Sequence, residues 1–288
     1  MSRPTLVVGA GGNVGGAVVR SLLGQGVPVR AAGTDPVRLA ALHPGAATVR
    51  LDLTDPATFG PALAGADALF LIRPPAIAKV GPTLNALLDA AAAQSLRHVV
   101  FSSVTGAATN RVLPHHRVET HLRASGLPWT ILRPGFFAQN LADAYRADIV
   151  HGSRILLPSG RGRAAFIDVR DVGDVVARVL ADPAAHRGAG YVLTGPEALD
   201  FDQVAAALSK ELGRAVRYEP TSVLRYLRHV HAQGHPWIQA AVQTVLHVGL
   251  RRGQAQTVDP TLERLLGRPG RTLATYVHDH RDLWEPTR

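Results

Sequence analysis

One turn near the start of the chain limits its fold more than any other feature. Thr5-Leu6-Val7-Val8, an apolar run of strand length, leads into Gly9-Ala10-Gly11-Gly12-Asn13-Val14-Gly15, and the helix-forming Gly16-Ala17-Val18-Val19-Arg20-Ser21-Leu22-Leu23 follows. A glycine-rich turn between a strand and a helix leaves backbone N–H groups and the positive helix end open to a pyrophosphate, with no side chain in the way. Glycine spacing alone is a weak signal, because such turns serve many loops. The strand before it and the helix after it make dinucleotide binding through Gly9, Gly12, Asn13, Val14 and Gly15 the stronger reading.

The first half of the chain repeats the same unit. Apolar runs predict strands at Leu6–Val8, Pro28–Ala32, Thr48–Leu51, Ala68–Ile72 and His98–Ser102. Helical patterns alternate with them at Gly15–Gly24, Pro36–Leu42, Pro56–Leu63 and Leu84–Ala93. That alternation predicts an α/β fold with a doubly wound parallel Rossmann sheet. A helix over Val118–Ala124 ends at Ser125-Gly126, and a β-rich Trp129–Leu132 runs into the break Arg133-Pro134-Gly135. Beyond about residue 136 the rhythm changes to longer connections and helical signals, including Asp202–Glu211. Residues 1–135 therefore read as the dinucleotide-binding core. Residues 136–288 read as a smaller, mostly helical substrate-binding portion that returns to the sheet near Ala164–Ile167 and Tyr191–Leu193.

Composition narrows the rest. With 46% hydrophobic and 18% charged residues among 288, the chain is that of a globular protein, and its lack of cysteine excludes disulfides and thiolate metal sites. No apolar window approaches the roughly eighteen residues of a spanning helix, and the N-terminus lacks a signal-peptide pattern, so neither membrane nor secretion is expected and the cytoplasm is the default. The net charge of +9 is carried almost wholly by scattered arginines, with only Lys79 and Lys210 as lysines. It reads as a solvated surface that favours anionic ligands rather than as a nucleic-acid groove. Oligomer formation is left open.

The end of the second strand decides which dinucleotide is expected. An acidic residue about twenty positions past the turn would bind the ribose hydroxyls and repel a 2′-phosphate. Gly33 stands there, followed by Thr34, with Arg30 and Arg38 close enough in sequence to donate to a phosphate. NADP(H) is thus preferred over NAD(H). Asp35 dissents, although an Asp before Pro36 more often serves a turn. Asp52-Leu53, after the third strand, is where the adenine would pass. Asp52 could also cap the next helix, for which Asp55 is the better candidate.

Together these segments resemble the NmrA-like group of atypical short-chain dehydrogenases/reductases, which includes NADP-linked quinone and azo-compound reductases. The likeness rests on VVGAGGNVGGAVVRSLL, LDLTDPATF, LFLIRPP, VVFSSVTGA, VETHLRASGLPWTILRPGFFAQNL, FIDVRDVGDVVARVL, YVLTGPEALDFDQVAAAL and VDPTLERLLGRPGRTLATYVHDH, in order along nearly the whole chain. It implies that Ile72, Arg73 and Pro74 line the cofactor. Ser102 and Ser103 would lie near the nicotinamide ribose, Pro134, Gly135 and Phe136 beside the ring, and Phe137 and Asn140 would face the substrate. On the residues alone, the serines serve equally well as satisfied strand-end hydroxyls and the phenylalanines as core.

One departure concerns the proton. Classical members pair a tyrosine with a lysine four residues on, yet Tyr145, Tyr191, Tyr218, Tyr226 and Tyr276 all lack that lysine. Arg111 and His115 fall near the pair's places. An acceptor that forms a stabilised anion needs less help, and His115 or His116 is the candidate acid, although a solvent-exposed histidine beside Pro114 is the commoner case. The series His229-x-His231-x-x-x-His235 is broken by Gly234 and Pro236 and predicts no metal site. The Leu224–Leu250 stretch reads as a helical lid over a small hydrophobic substrate or as ordinary packing. Three functions remain open: an NADPH-dependent reductase of a flat hydrophobic acceptor, a nicotinamide-sensing regulatory protein, and a cyclase or isomerase on the same fold.

Overall fold

A computed structural model describes residues 3–285, which form two compact units. The first runs to Pro134 and adds Val169–Leu193 and Thr261–Arg268. Its strands and helices alternate as β1 (Thr5–Val8), α1 (Asn13–Gly24), β2 (Val29–Gly33), α2 (Pro36–Leu42), β3 (Ala47–Arg50), α3 (Phe59–Leu63), β4 (Ala68–Ile72), α4 (Ala86–Ala92), β5 (His98–Ser102), α5 (Pro114–Ala124) and β6 (Trp129–Pro134). The later segment Ala189–Leu193 supplies a seventh strand beside β6. All seven run parallel, in the order Ala189–Leu193, β6, β5, β4, β1, β2, β3. The direction of winding reverses between β1 and β4, which opens a crevice at the carboxyl ends of those strands.

Both faces of this sheet are covered, which is why its inner strands read as mostly apolar runs instead of alternating. Residues of β1 and β5 are all buried. On one face Phe59, Leu63, Leu84, Leu87 and Leu122 pack on Leu6, Leu69, Val99 and Phe101. On the other, α1 lies against helix Val169–Ala181. A Cβ at Gly173 of that helix would stand 2.7 Å from the Ala17 carbonyl oxygen, so glycine permits the close approach. Helix α5 begins at Pro114, four residues before the predicted start, because proline suits the first helical position where no N–H partner is needed.

The second unit comprises Gly135–Asp168, Thr194–Pro260 and the chain from Pro269 onward. Its short Phe136–Phe137 strand pairs in parallel with Arg163–Ile167, which pairs antiparallel with Ala198–Asp200. The predicted return of Ala164–Ile167 to the main sheet is therefore corrected: those backbone groups are taken by Phe136–Phe137 and Ala198–Asp200, and the place beside β6 belongs to Ala189–Leu193. A two-stranded sheet joins Arg154–Leu157 to Arg217–Pro220. Phe166, Phe201, Tyr276 and Trp284 centre the core of this unit.

Candidate functional site

The glycine turn is held in a shape that side chains would prevent. Gly9 adopts φ +74°, a left-handed conformation that favours glycine, and the Gly12 N–H donates to the Gly9 carbonyl at 3.0 Å. Gly12 then caps α1 with no side chain, and no acidic residue occupies the first helical turn. A Cβ at Gly15 would fall 2.2 Å from the Gly9 carbonyl oxygen. The positive end of a 12-residue helix is thus left open to an anion.

A cleft of about 370 Å³ opens beside this turn. Gly9, Gly11 and Gly12 form one side, and Gly33, Thr34 and Arg38 stand at the end of β2. A side chain at Gly33 would press on Leu39, its Cβ falling 3.2 Å from Leu39 Cδ1. Asp35 also borders the cleft, but its carboxylate caps α2 by accepting from the Arg38 N–H at 3.0 Å. It serves the turn before Pro36. Arg38 is exposed along the cleft edge.

Asp52 and Leu53 form a third side. Asp52 Oδ1 accepts from the Thr54 hydroxyl at 2.7 Å and the Thr54 N–H at 2.9 Å. Those bonds hold its carboxyl below the usual carboxylate range, so it stays an ionised acceptor. Asp55 caps the following turn by accepting from the Ala57 N–H.

Two arginines donate to backbone carbonyls. The Arg30 guanidinium donates to the carbonyls of Ala62 and Ala64 at 2.9 and 2.6 Å. Because these are carbonyls at the end of α3, which a cation stabilises, Arg30 is committed there and does not border the cleft. Arg73 Nη1 donates to the carbonyls of Pro74, Pro75 and Ile77, and Nε donates to His115 Nε2 at 3.2 Å. Its side chain therefore folds the 73–77 loop, and Pro74 borders the cleft together with Ala76 and Ile77. Nothing in their residue types marks Ala76 and Ile77 as cleft residues. Ile72 touches the turn directly, since a Cβ at Gly9 would meet its Cγ2 at 2.7 Å.

The ends of β5 and β6 carry a buried ionic network. Ser103 donates to Glu119 Oε1 at 2.6 Å, and Arg133 grips the same carboxylate through Nε at 2.9 Å and Nη2 at 2.7 Å. Arg123 adds a fourth bond at 2.8 Å. Burial alone would raise the Glu119 carboxyl, but hydrogen bonds from Arg133 and Ser103 and the two guanidinium charges hold it below its ordinary value. Ser103 is thereby a satisfied strand-end hydroxyl, and Ser102 is buried beside it. Glu119 was missed by sequence reasoning. Its only signal is a charged residue between Val118 and Leu122 on the buried face of α5.

His115 is buried beside Arg73. Burial, reinforced by the Arg73 charge, lowers its pKa to about 4, and its Nε2 already accepts from Arg73. The ring is neutral near pH 7, with its proton on a buried Nδ1 that has no partner. His116 is half-buried, and its Nδ1 donates to the Ala107 carbonyl at 2.8 Å.

Pro134 ends β6 in the first unit, whereas Gly135, Phe136, Phe137 and Asn140 belong to the second. Phe136 meets Phe166 edge to face at 5.4 Å, and Asn140 opens helix Asn140–Asp143. The histidine series also separates: His229 Nε2 bonds Asp148 at 2.7 Å, while His231 stacks on Trp237 at 3.8 Å. No group of three metal-ligating side chains occurs among the described residues, and no helix there is long and apolar enough to cross a membrane.

Known proteins resemble this chain in sequence and fold. The model of the NmrA-like family matches residues 1–260. The chain is 33% identical to the NAD(P)H azoreductase of Xenophilus azovorans, covering 96% of this chain and 97% of that protein. It is 30% identical to quinone oxidoreductase 2 of Escherichia coli, covering 94% and 96%. The crystal structure of an NADPH-dependent quinone oxidoreductase from E. coli, complexed with NADPH, superposes with a TM-score of 0.84 at 28% identity, covering 96% of this chain and 99% of that one. The chain belongs to the NmrA-like family.

Proposed function

We propose that this protein is an NADPH-dependent reductase whose acceptor is a flat hydrophobic molecule of the quinone or azo class. The observation that carries the reading is the composition of the cleft: glycine backbone on the side that would receive a pyrophosphate, and Gly33, Thr34 and Arg38 where an acidic ribose-binding residue would exclude a 2′-phosphate. The names of the two relatives, an azoreductase and a quinone oxidoreductase, support the same class of chemistry.

The residues fit the coenzyme in kind. The open N-terminus of α1 and the glycine N–H groups would hold the pyrophosphate, Arg38 and Thr34 the 2′-phosphate, and ionised Asp52 the adenine amino group. When bound, the nicotinamide supplies the hydride. The chain's part is to orient it and to exclude water. Phe136 is the residue that the family resemblance assigns to the ring, and Phe137 and Asn140 are those it assigns to the acceptor. No side chain need donate a proton if the reduced acceptor is a stabilised anion, which agrees with a neutral, buried His115 and with a Ser103 hydroxyl bonded to Glu119.

The same two observations favour a second reading, a nicotinamide-responsive binding protein without turnover. Mixing the purified protein with NADPH and a panel of quinones and azo dyes, and following nicotinamide absorbance, separates the two. Multiple turnovers with any acceptor support the reductase. Tight coenzyme binding with no turnover across the panel transfers support to the sensor.

A further inference from the structure

Helix Trp237–Arg251 in the second unit buries one face and leaves an apolar face exposed. At about 100° per residue, its inner face carries Ala240, Thr244, His247 and Leu250, all buried. The opposite face carries Ile238, Val242, Val245 and Leu246, which are 81, 56, 71 and 59% exposed. Trp237 is exposed at the helix start on the Ala240 and Thr244 side, where it stacks on His231, and Gln239 is the one exposed polar residue between Trp237 and Leu250. A contiguous exposed apolar stripe marks a surface that is normally covered. The neighbouring helix Val223–Ala232, packed against it, also exposes Val223 and Leu224.

Within the segment that carries the patch, the charge is of one sign. Residues 220–258 contain no aspartate or glutamate, while Arg225, Arg228, Arg251 and Arg252 are all exposed. A two-fold second copy would set this same surface against itself, with no acidic side chain from the segment to answer the arginines. An anionic lipid headgroup layer answers them, and the acyl boundary beneath it accepts Ile238, Val242, Val245 and Leu246. The lack of a spanning segment bears on insertion and leaves an interfacial helix open. We propose that the helical hairpin Val223–Arg251 docks the protein on the surface of an anionic membrane, with the outer face of Trp237–Arg251 lying in the interface. The docking does not depend on the reductase reading.

The full-length protein is sedimented with vesicles of phosphatidylcholine containing phosphatidylglycerol and, separately, with phosphatidylcholine alone. Binding is expected to the anionic vesicles only, with loss in salt on the order of 1 M, where charges are screened within ~3 Å. Arg225→Gln and Arg228→Gln should each weaken binding about fivefold. Ile238→Asp with Val245→Asp should abolish it at an unchanged melting temperature, both positions being exposed. Failure of the wild-type protein to bind anionic vesicles overturns the proposal. So does a stable dimer in sedimentation equilibrium that Ile238→Asp dissociates, because a second copy would then be the occupant.

Discussion

A Cβ at Gly15 would stand 2.2 Å from the carbonyl oxygen of Gly9, closer than any side-chain carbon is tolerated. The first strand and the first helix are joined by this contact, and the coenzyme cleft is built on it. Gly15→Ala must push the turn open or distort the start of α1. The expected cost is ~1–3 kcal/mol of stability, read as a lower melting temperature, together with loss of NADPH binding. A variant with wild-type melting and affinity would show that the turn does not need this approach.

Arg38 is the cation at the cleft edge beside Gly33 and Thr34. If it pairs with a 2′-phosphate, Arg38→Ala should weaken NADPH binding by roughly 10- to 100-fold, the value of a charge-assisted hydrogen bond, and leave NADH nearly unchanged. Equal losses for both coenzymes would count against a phosphate contact. Arg30→Ala, by contrast, should lower stability and leave the preference between coenzymes intact, because Arg30 is bound to the end of α3.

Glu119 is wholly buried and accepts from Ser103, Arg123 and Arg133. Glu119→Gln leaves the Arg133 guanidinium without its counter-charge, and removal of one partner from a buried pair costs about 3–5 kcal/mol. Thermal or urea unfolding measures it. A change below about 1 kcal/mol would mean that the pair behaves as an exposed one.

His98, His115 and His247 each have a pKa lowered to about 4, chiefly by burial. A group whose folded pKa lies below its unfolded value binds its proton more readily in the unfolded chain. Stability is therefore highest above pH ~6.5 and falls as the pH drops from there toward 4, by up to ~3 kcal/mol per histidine. Urea unfolding across that window checks the slope, which His115→Gln should reduce. For turnover, the rate should show no inflection near pH ~6.5 that His115→Gln removes. Such an inflection would identify His115 as a proton donor.

What could be read in the sequence was what depends on near neighbours. The strand-turn-helix at residues 5–24, the exchange of an acidic residue for Gly33, and the Asp35 and Asp55 caps all involve residues within a few positions of one another. Side-chain direction was not legible where the partner is distant. Arg30 finds its carbonyls 32 and 34 residues on, and Arg73 meets a histidine 42 residues on. The strand at Arg163–Ile167 shows the same limit. Its apolar run announces a strand, but pairing with Phe136–Phe137 and not with the main sheet is a choice among distant partners that local pattern does not encode.

The most direct test of the cleft is calorimetric titration of the wild-type protein with NADPH and with NADH under identical salt and pH. Gly33, Thr34 and Arg38 in place of an acidic residue predict that NADPH binds at least about tenfold more tightly, with the difference shrinking as salt is raised. Equal affinities, or tighter binding of NADH, would contradict that assignment. Failure of both to bind would contradict the coenzyme site itself.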